Sequence, residues 1–227
     1  MNSASKRASE STAPVSGIET DIEPAIEPPV RVALDHWVDC LDGIAADAML
    51  RRWCTQPRFR QRLLARLQRR HQLTSIAEQP LMDAADQALC QLDSDDFTAC
   101  ARAAGVIIHA NAFVREIHAP RVAALKQCFG SELYSLALTH RDHASTEACA
   151  EDDLDALEAA VEHDGRRCLE RWWQAQTVAL RAWLRLGWAG QFEEPETIAA
   201  DTAAVDIARL AATHGLFQAA DKERAGI

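Results

Sequence analysis

The sequence has few of the residue patterns that mark common functional sites. Its nine glycines stand singly, and neither GxGxxG nor GxxxxGK[ST] occurs, which argues against a phosphate-binding loop. GxSxG, HExxH and CxxC are also absent, and no two of the seven cysteines are closer than ten residues. We therefore expect no catalytic residues, no cofactor, no metal site and no disulfide framework.

Long apolar runs are missing as well. Apolar residues make up 48% of the 227 residues, but no stretch approaches the 18 or so that a spanning helix needs. The start of the chain has no apolar segment of the kind found in secretory signal peptides. Because isolated thiols are typical of small core residues in a reducing compartment, we expect a cytoplasmic chain without direct membrane insertion.

Strand patterns are short, whereas helical patterns are frequent. Apolar residues recur at steps of three and four, as at Leu63, Leu64 and Leu67, and no hairpin turn separates β-rich runs. We predict an all-α fold: a single compact multi-helix domain over residues 30–220, a disordered N-terminal tail over 1–29, and a flexible C-terminus over 221–227.

Several helix ends can be placed from single residues. The stretch Asp93-Ser94-Asp95-Asp96 is predicted to supply the cap and the first-turn acids of a helix, which could continue as far as Ile117. Gly130 is placed just after a helix end, and Gly165 is a candidate break in the long pattern after Leu154. Four prolines are placed at helix starts: Pro57, Pro80, Pro120 and Pro195.

One segment concentrates positive charge in an otherwise acidic chain. Residues 51–71 contain no acid and eight arginines, which are Arg51, Arg52, Arg58, Arg60, Arg62, Arg66, Arg69 and Arg70. Removing these eight from the 24 basic residues leaves 16 against 34 acidic residues. Such a helix could bind an acidic protein, an anionic lipid surface or nucleic acid; alternatively, it is a solvated face or packs on the acidic stretch 147–164.

A second unusual feature is the density of tryptophan late in the chain. The adjacent Trp172 and Trp173 point about 100° apart on a helix, so both cannot lie centrally on one narrow stripe. One of them is therefore a candidate contact with a partner, since tryptophan is enriched at interface hot spots. The alternative is a wide buried face on a central helix.

Other polar clusters have simpler explanations at helix ends. His140 and His143 share a helix face and could meet one metal, but a polar helix end accounts for them without a second ligand pair. Asp152, Asp153 and Asp155 are expected at a helix start, where carboxylates complement the dipole. We expect His109 to be a core or interface histidine.

The passage from Ala104 to Leu138 resembles the SctK-type accessory components of type III secretion sorting platforms, nearest in character to the plant-pathogen (Hrp) branch. The matching elements are Ala104-Gly105, Val114-Arg115 with Ile117, Arg121-Val122 with Leu125, and Phe129-Gly130 with Glu132, Tyr134 and Ala137-Leu138. Phe129 stands where the family has leucine, and Ile117 lies one residue closer to Arg115 than the family pattern places it.

This resemblance implies a non-enzymatic cytoplasmic scaffold, peripheral at the inner-membrane face of a secretion apparatus. Its implied partners are a SctQ-type pod protein and the cytoplasmic domain of a SctD-type ring, with a SctL stator and a SctN ATPase as indirect partners. On this interpretation the arginine-rich segment is the leading candidate for a docking surface, and nucleic acid is not a partner.

Two other functions remain open at this point. The serine-rich start is similar to the export signals of type III effectors, so the chain could itself be exported. A helical DNA-binding regulator could use the arginine-rich segment, although the acidic balance elsewhere disfavours it.

Overall fold

The computed structural model describes residues 28, 30–41, 47–54, 56–74, 82–145, 153–188 and 201–214. In these ranges the chain forms α-helices and one 3₁₀ turn, without any β-strand, which confirms the all-α prediction. The helices are α1 Leu34–Asp39, α2 Asp47–Cys54, α3 Pro57–Arg70, α4 Ala84–Cys90, α5 Ser94–Ile108, α6 Ala110–Val114, α7 Ala119–Thr139, α8 Leu154–Ala175, α9 Val178–Gly187 and α10 Thr202–Thr213, and the 3₁₀ turn is Arg141–His143. The predicted tails, apart from Pro28, lie outside the described residues, as do Pro80 and Pro195.

Carboxylates hold the starts of the two central helices. Asp93 precedes α5, and its Oδ1 accepts hydrogen bonds from the backbone N–H groups of Asp95 and Asp96 at 3.1 and 2.9 Å. Asp153 precedes α8 and accepts from the N–H of Asp155 at 3.3 Å. Each cap satisfies amide groups that have no partner within the helix. The sequence predicted the cap of α5, and it predicted a helix start at Asp153.

Helices α5 and α8 form the centre of the fold and cross at two glycines. A Cβ atom added to Gly105 would lie 1.9 Å from the carbonyl oxygen of Val161, and one added to Gly165 would lie 1.8 Å from that of Ala101. The two backbones therefore touch where neither helix has a side chain. Gly165 lies inside the continuous helix α8, so the predicted break there is wrong: the glycine serves close packing.

The main core gathers buried residues from α4, α5, α8, α9 and α10 around the tryptophans. The indole N–H of Trp183 donates to the carbonyl oxygen of Thr74 at 3.1 Å, and that of Trp188 donates to Leu92 at 3.2 Å. Because a buried indole N–H without an acceptor would destabilise the core, these long-range bonds help to fix how the helices pack.

A second cluster joins α6 and α7 to the first half of α8. It includes Phe113, Leu125, Phe129 and Tyr134, and the ring centroids of Phe113 and Phe129 lie 5.2 Å apart. Gly130 has φ +85° and ψ 156°, so the helical run of α7 is interrupted there and resumes at once. That conformation strains most other residues, which agrees with the predicted helix end.

The end of α5 differs from the prediction. The helix stops at Ile108, α6 is a separate short helix, and Ile117 lies beyond it and is 84% exposed. The direction changes at His109, whose φ of −90° and ψ of 16° fall outside regular helix geometry. The prediction that the helix continues to Ile117 is therefore wrong, because the chain turns and places Phe113 in the second cluster.

Helices α1 to α3 pack together at one side of the molecule. Leu63 is buried among Leu34, Trp37 and Phe59. Leu64, the next residue, and Leu67, one turn further along α3, belong to the main core. The apolar stripe predicted for α3 is thus confirmed as buried, and it fixes which side of this helix faces outwards.

Candidate partner-binding surface

The arginines singled out from the sequence lie on α2 and α3. Arg51 and Arg52 belong to α2, and the other six belong to α3. The side chains of Arg52, Arg58, Arg62, Arg66, Arg69 and Arg70 are exposed and that of Arg60 is half-buried, while the side chain of Arg51 lies outside what the structure describes. The structure therefore exposes most of this charge.

Four of these residues form a straight row, which we call the arginine face: Arg58, Arg62, Arg66 and Arg69. Their spacing of four, four and three residues keeps them on one side of α3, along a rise of about 16 Å. Ala65 is exposed in the middle of the row, and Gln61 is exposed beside it. The face is therefore strongly basic, and its centre carries only a small side chain.

Acidic residues of α8 engage other parts of the chain. Glu158 and Glu162 form ion pairs with Arg102 of α5. Asp164 Oδ2 lies 2.9 Å from Nε2 of His109, the residue that follows α5. Helix α3 packs against α1 and α2, and its Leu64 and Leu67 reach the main core. The alternative in which the arginine segment packs on the acidic stretch finds no support from these three acids, whereas residues 147–152 lie outside the described ranges.

The two candidate tryptophans do not reach the surface. Trp172 and Trp173 are 0% and 1% exposed. Trp172 Nε1 donates to Asp86 Oδ1 at 2.7 Å, and the guanidinium groups of Arg181 and Arg185 lie 5.6 and 5.7 Å from the ring centroid of Trp173. The hypothesis that one of them contacts a partner is corrected by this burial: α8 buries a wide face, and both indoles serve the core.

His140 and His143 lie close together at the end of α7, with ring centroids 6.1 Å apart. Burial, His143 and then His214 lower the pKa of His140, which favours its neutral form. Over the described stretches, no group of three or more histidine, cysteine or acidic side chains is placed to hold a metal ion.

A groove of about 700 Å³ between α8 and α10 is lined by Asp164, Arg167, Cys168 and Asp201, among others. Burial, Asp201 and Asp164 raise the pKa of the Cys168 thiol to about 12. Since the thiolate is the nucleophilic form, this cysteine is unreactive at neutral pH. The arrangement supplies an ion pair between Arg167 and Asp164 at 3.9 Å, and no activated nucleophile.

An ion pair that the sequence did not predict ties three helices together; its carboxylate is buried and its arginine is half-buried. Arg209 of α10 donates from Nε and Nη2 to the two carboxylate oxygens of Asp86 on α4, each at 2.9 Å, and Trp172 of α8 bonds the same carboxylate. Burial opposes ionisation of Asp86, but these hydrogen bonds outweigh it and hold its pKa below the usual range. The available signal was an acid on the same helix stripe as Leu89 and Cys90.

Comparisons with protein-family models, with curated proteins and with solved structures find no match. Among the described residues, no helix is both long enough and apolar enough to cross a membrane. In the part of the chain that the structure describes, the arginine face concentrates positive charge on one side of α3.

Proposed function

We propose that this chain is a non-enzymatic scaffold of a bacterial type III secretion system. It joins a SctQ-type pod protein to the cytoplasmic domain of a SctD-type inner-membrane ring, and through the pods it connects to a SctL stator and a SctN ATPase. The observation that carries the proposal is the resemblance of Ala104–Leu138 to SctK-type components. Its location is then cytoplasmic, at the inner-membrane face of the apparatus.

The position of that passage in the fold supports a framework role. Gly105 lies at the crossing of the two central helices, and Leu125, Phe129 and Tyr134 are buried in the second cluster. These four matching residues therefore hold helices together, whereas Ile117 and Leu138 of the same passage are 84% and 44% exposed. Partner contacts would then lie on surfaces elsewhere on the molecule.

A scaffold acts through affinity between surfaces that are already formed. Rigid helical faces bind without a large ordering cost, so modest contacts can give a useful complex. The chain offers such a surface on α3, where the buried stripe of leucines fixes the helix and leaves the arginines outside. This arrangement agrees with a docking role and requires no chemical step.

Removal of the gene from its host tests the proposal. We expect a fluorescently labelled SctQ-type protein to lose its foci at the membrane and type III secretion to stop. Both should return with the full chain and with a chain that lacks residues 2–25. Foci that persist without the gene would contradict the proposal, and export of the chain into the medium through residues 2–25 would favour an effector.

A further inference from the structure

We infer that the arginine face of α3 docks an acidic helix of a protein partner. In this arrangement the partner helix lies along α3, packs a small residue over Ala65, and directs carboxylates at the arginines on either side. The inference rests on the proposed function, because a scaffold needs a partner surface, and it adds the chemistry of the partner.

The spacing of the arginines on the arginine face suits an acidic helix of a partner better than a single small anion. Arg58, Arg62 and Arg69 span three turns of α3, and each is exposed. A partner helix with acids at every third or fourth residue presents carboxylates at the same repeat. The axes of packed helices lie about 8–10 Å apart, depending on the side chains at the contact, and the small side chain of Ala65 allows a close approach.

Arginine is also the residue that fits carboxylates by geometry. Its planar guanidinium donates two parallel hydrogen bonds to one carboxylate, whereas a lysine ammonium acts as a point charge. The whole segment 51–71 holds eight arginines and no lysine. The face is therefore suited to bidentate pairing along its length.

A lipid surface is a poorer match. Peripheral membrane helices insert apolar side chains, but Leu63, Leu64 and Leu67 of α3 are buried in the molecule. Phe59 is also engaged, with its ring centroid 5.0 Å from that of Trp53. Within α3, the arginine face thus has charge for lipid headgroups but carries no large apolar side chain that could insert between lipids.

Nucleic acid is disfavoured by the charge of the remaining chain. Outside the eight arginines it holds 16 basic and 34 acidic residues, which would repel a phosphate backbone beyond the contact itself. A single acidic helix covers little more than the arginine face and avoids most of this repulsion.

The test uses the full chain and a synthetic probe. The probe is a fluorescent alanine-based helical peptide with glutamates on one face, and its control has the same composition with the glutamates dispersed around the helix. We expect the one-faced peptide to bind at least about fivefold more tightly, with an affinity that falls steeply as salt is added. Substitution of Arg58→Glu, Arg62→Glu and Arg69→Glu together should weaken binding at least about tenfold.

A matched variant controls for total charge. Arg115→Glu, Arg141→Glu and Arg167→Glu alter three other exposed arginines and change the net charge equally. We expect this variant to bind the one-faced peptide within about twofold of the unmodified chain, apart from the long-range charge effect that salt removes. Circular dichroism confirms that both variants remain helical.

Three results would overturn the inference. The first is equal weakening of peptide binding by the two triple variants. The second is equal binding of the two peptides. The third is tighter binding of an RNA oligonucleotide, or of phosphatidylserine vesicles, through the same arginines. The proposed function fails separately: an intact chain that does not co-purify with a SctQ-type protein contradicts the scaffold, whatever the peptide does. If the intact chain and the α3 variant both co-purify, only the inference is lost.

Discussion

Adding one methyl group at the crossing of α5 and α8 should destabilise the protein, although alanine is the better helix former. In Gly165→Ala the new Cβ would lie 1.8 Å from the carbonyl oxygen of Ala101 and 2.8 Å from the backbone nitrogen of Gly105. Ordinary contact needs at least 3.4 Å, so the helices must separate by about 1.5 Å. Both obstacles are backbone atoms, which cannot rotate away as a side chain can.

The expected magnitude follows from two opposing terms. Overpacking of a tight core costs about 3 kcal/mol, at the upper end of the usual range because the clash is with backbone. Replacing glycine by alanine inside a helix returns about 1 kcal/mol. The net loss of about 2 kcal/mol should lower the melting temperature by about 4–8 °C for a chain of this size.

Urea and thermal unfolding followed by circular dichroism measure this effect. Ala159→Gly, on the exposed side of the same helix, serves as the control and should cost about 1 kcal/mol through helix propensity alone. Gly105→Ala should behave like Gly165→Ala, and the double variant should cost less than the sum, since one displacement relieves both clashes. A Gly165→Ala variant that melts at the same or a higher temperature would refute the close crossing.

Two further predictions concern buried groups. Because the folded pKa of Asp86 lies below its unfolded value, its contribution to stability is present above about pH 4 and is lost as the pH falls through the folded pKa. Asp86→Asn should lower the free energy of unfolding by about 2 kcal/mol near pH 7, and by less in acid. If the substitution left the pH dependence of the unfolding midpoint unchanged, the ion pair with Arg209 would be contradicted. The second prediction concerns the cysteines: after brief maleimide treatment, peptide mapping should show the half-buried Cys128 labelled before Cys90 and Cys168. Burial raises the thiol pKa of Cys90 and of Cys168 to about 12, so little reactive thiolate forms there. Simultaneous labelling of the three cysteines would be inconsistent with this core.

The sequence predicted features that depend on neighbours along the chain. The leucine stripe of α3, the Asp93 cap and the helix end at Gly130 each follow from residues within one or two turns, and each was confirmed. His109 was expected to be a core or interface histidine, and it is 4% exposed. Local periodicity and capping chemistry were sufficient for these features.

Features that depend on distant parts of the chain were misjudged. Gly165 looks like a break because its partner surface, Ala101 and Gly105, is some sixty residues away in the sequence. Trp172 looks available for a partner because its acceptor, Asp86, lies 86 residues before it. For the candidate site, the sequence located the arginine segment, and only the fold could show which of its side chains are exposed.

The most direct test of the scaffold is a bridging experiment with purified components. The cytoplasmic domain of a SctD-type ring protein is immobilised, and a SctQ-type pod protein from the same host is added with and without this chain. We predict that the pod protein is retained only when the chain is present. Retention that is equal without the chain, or absent with it, would contradict the central claim.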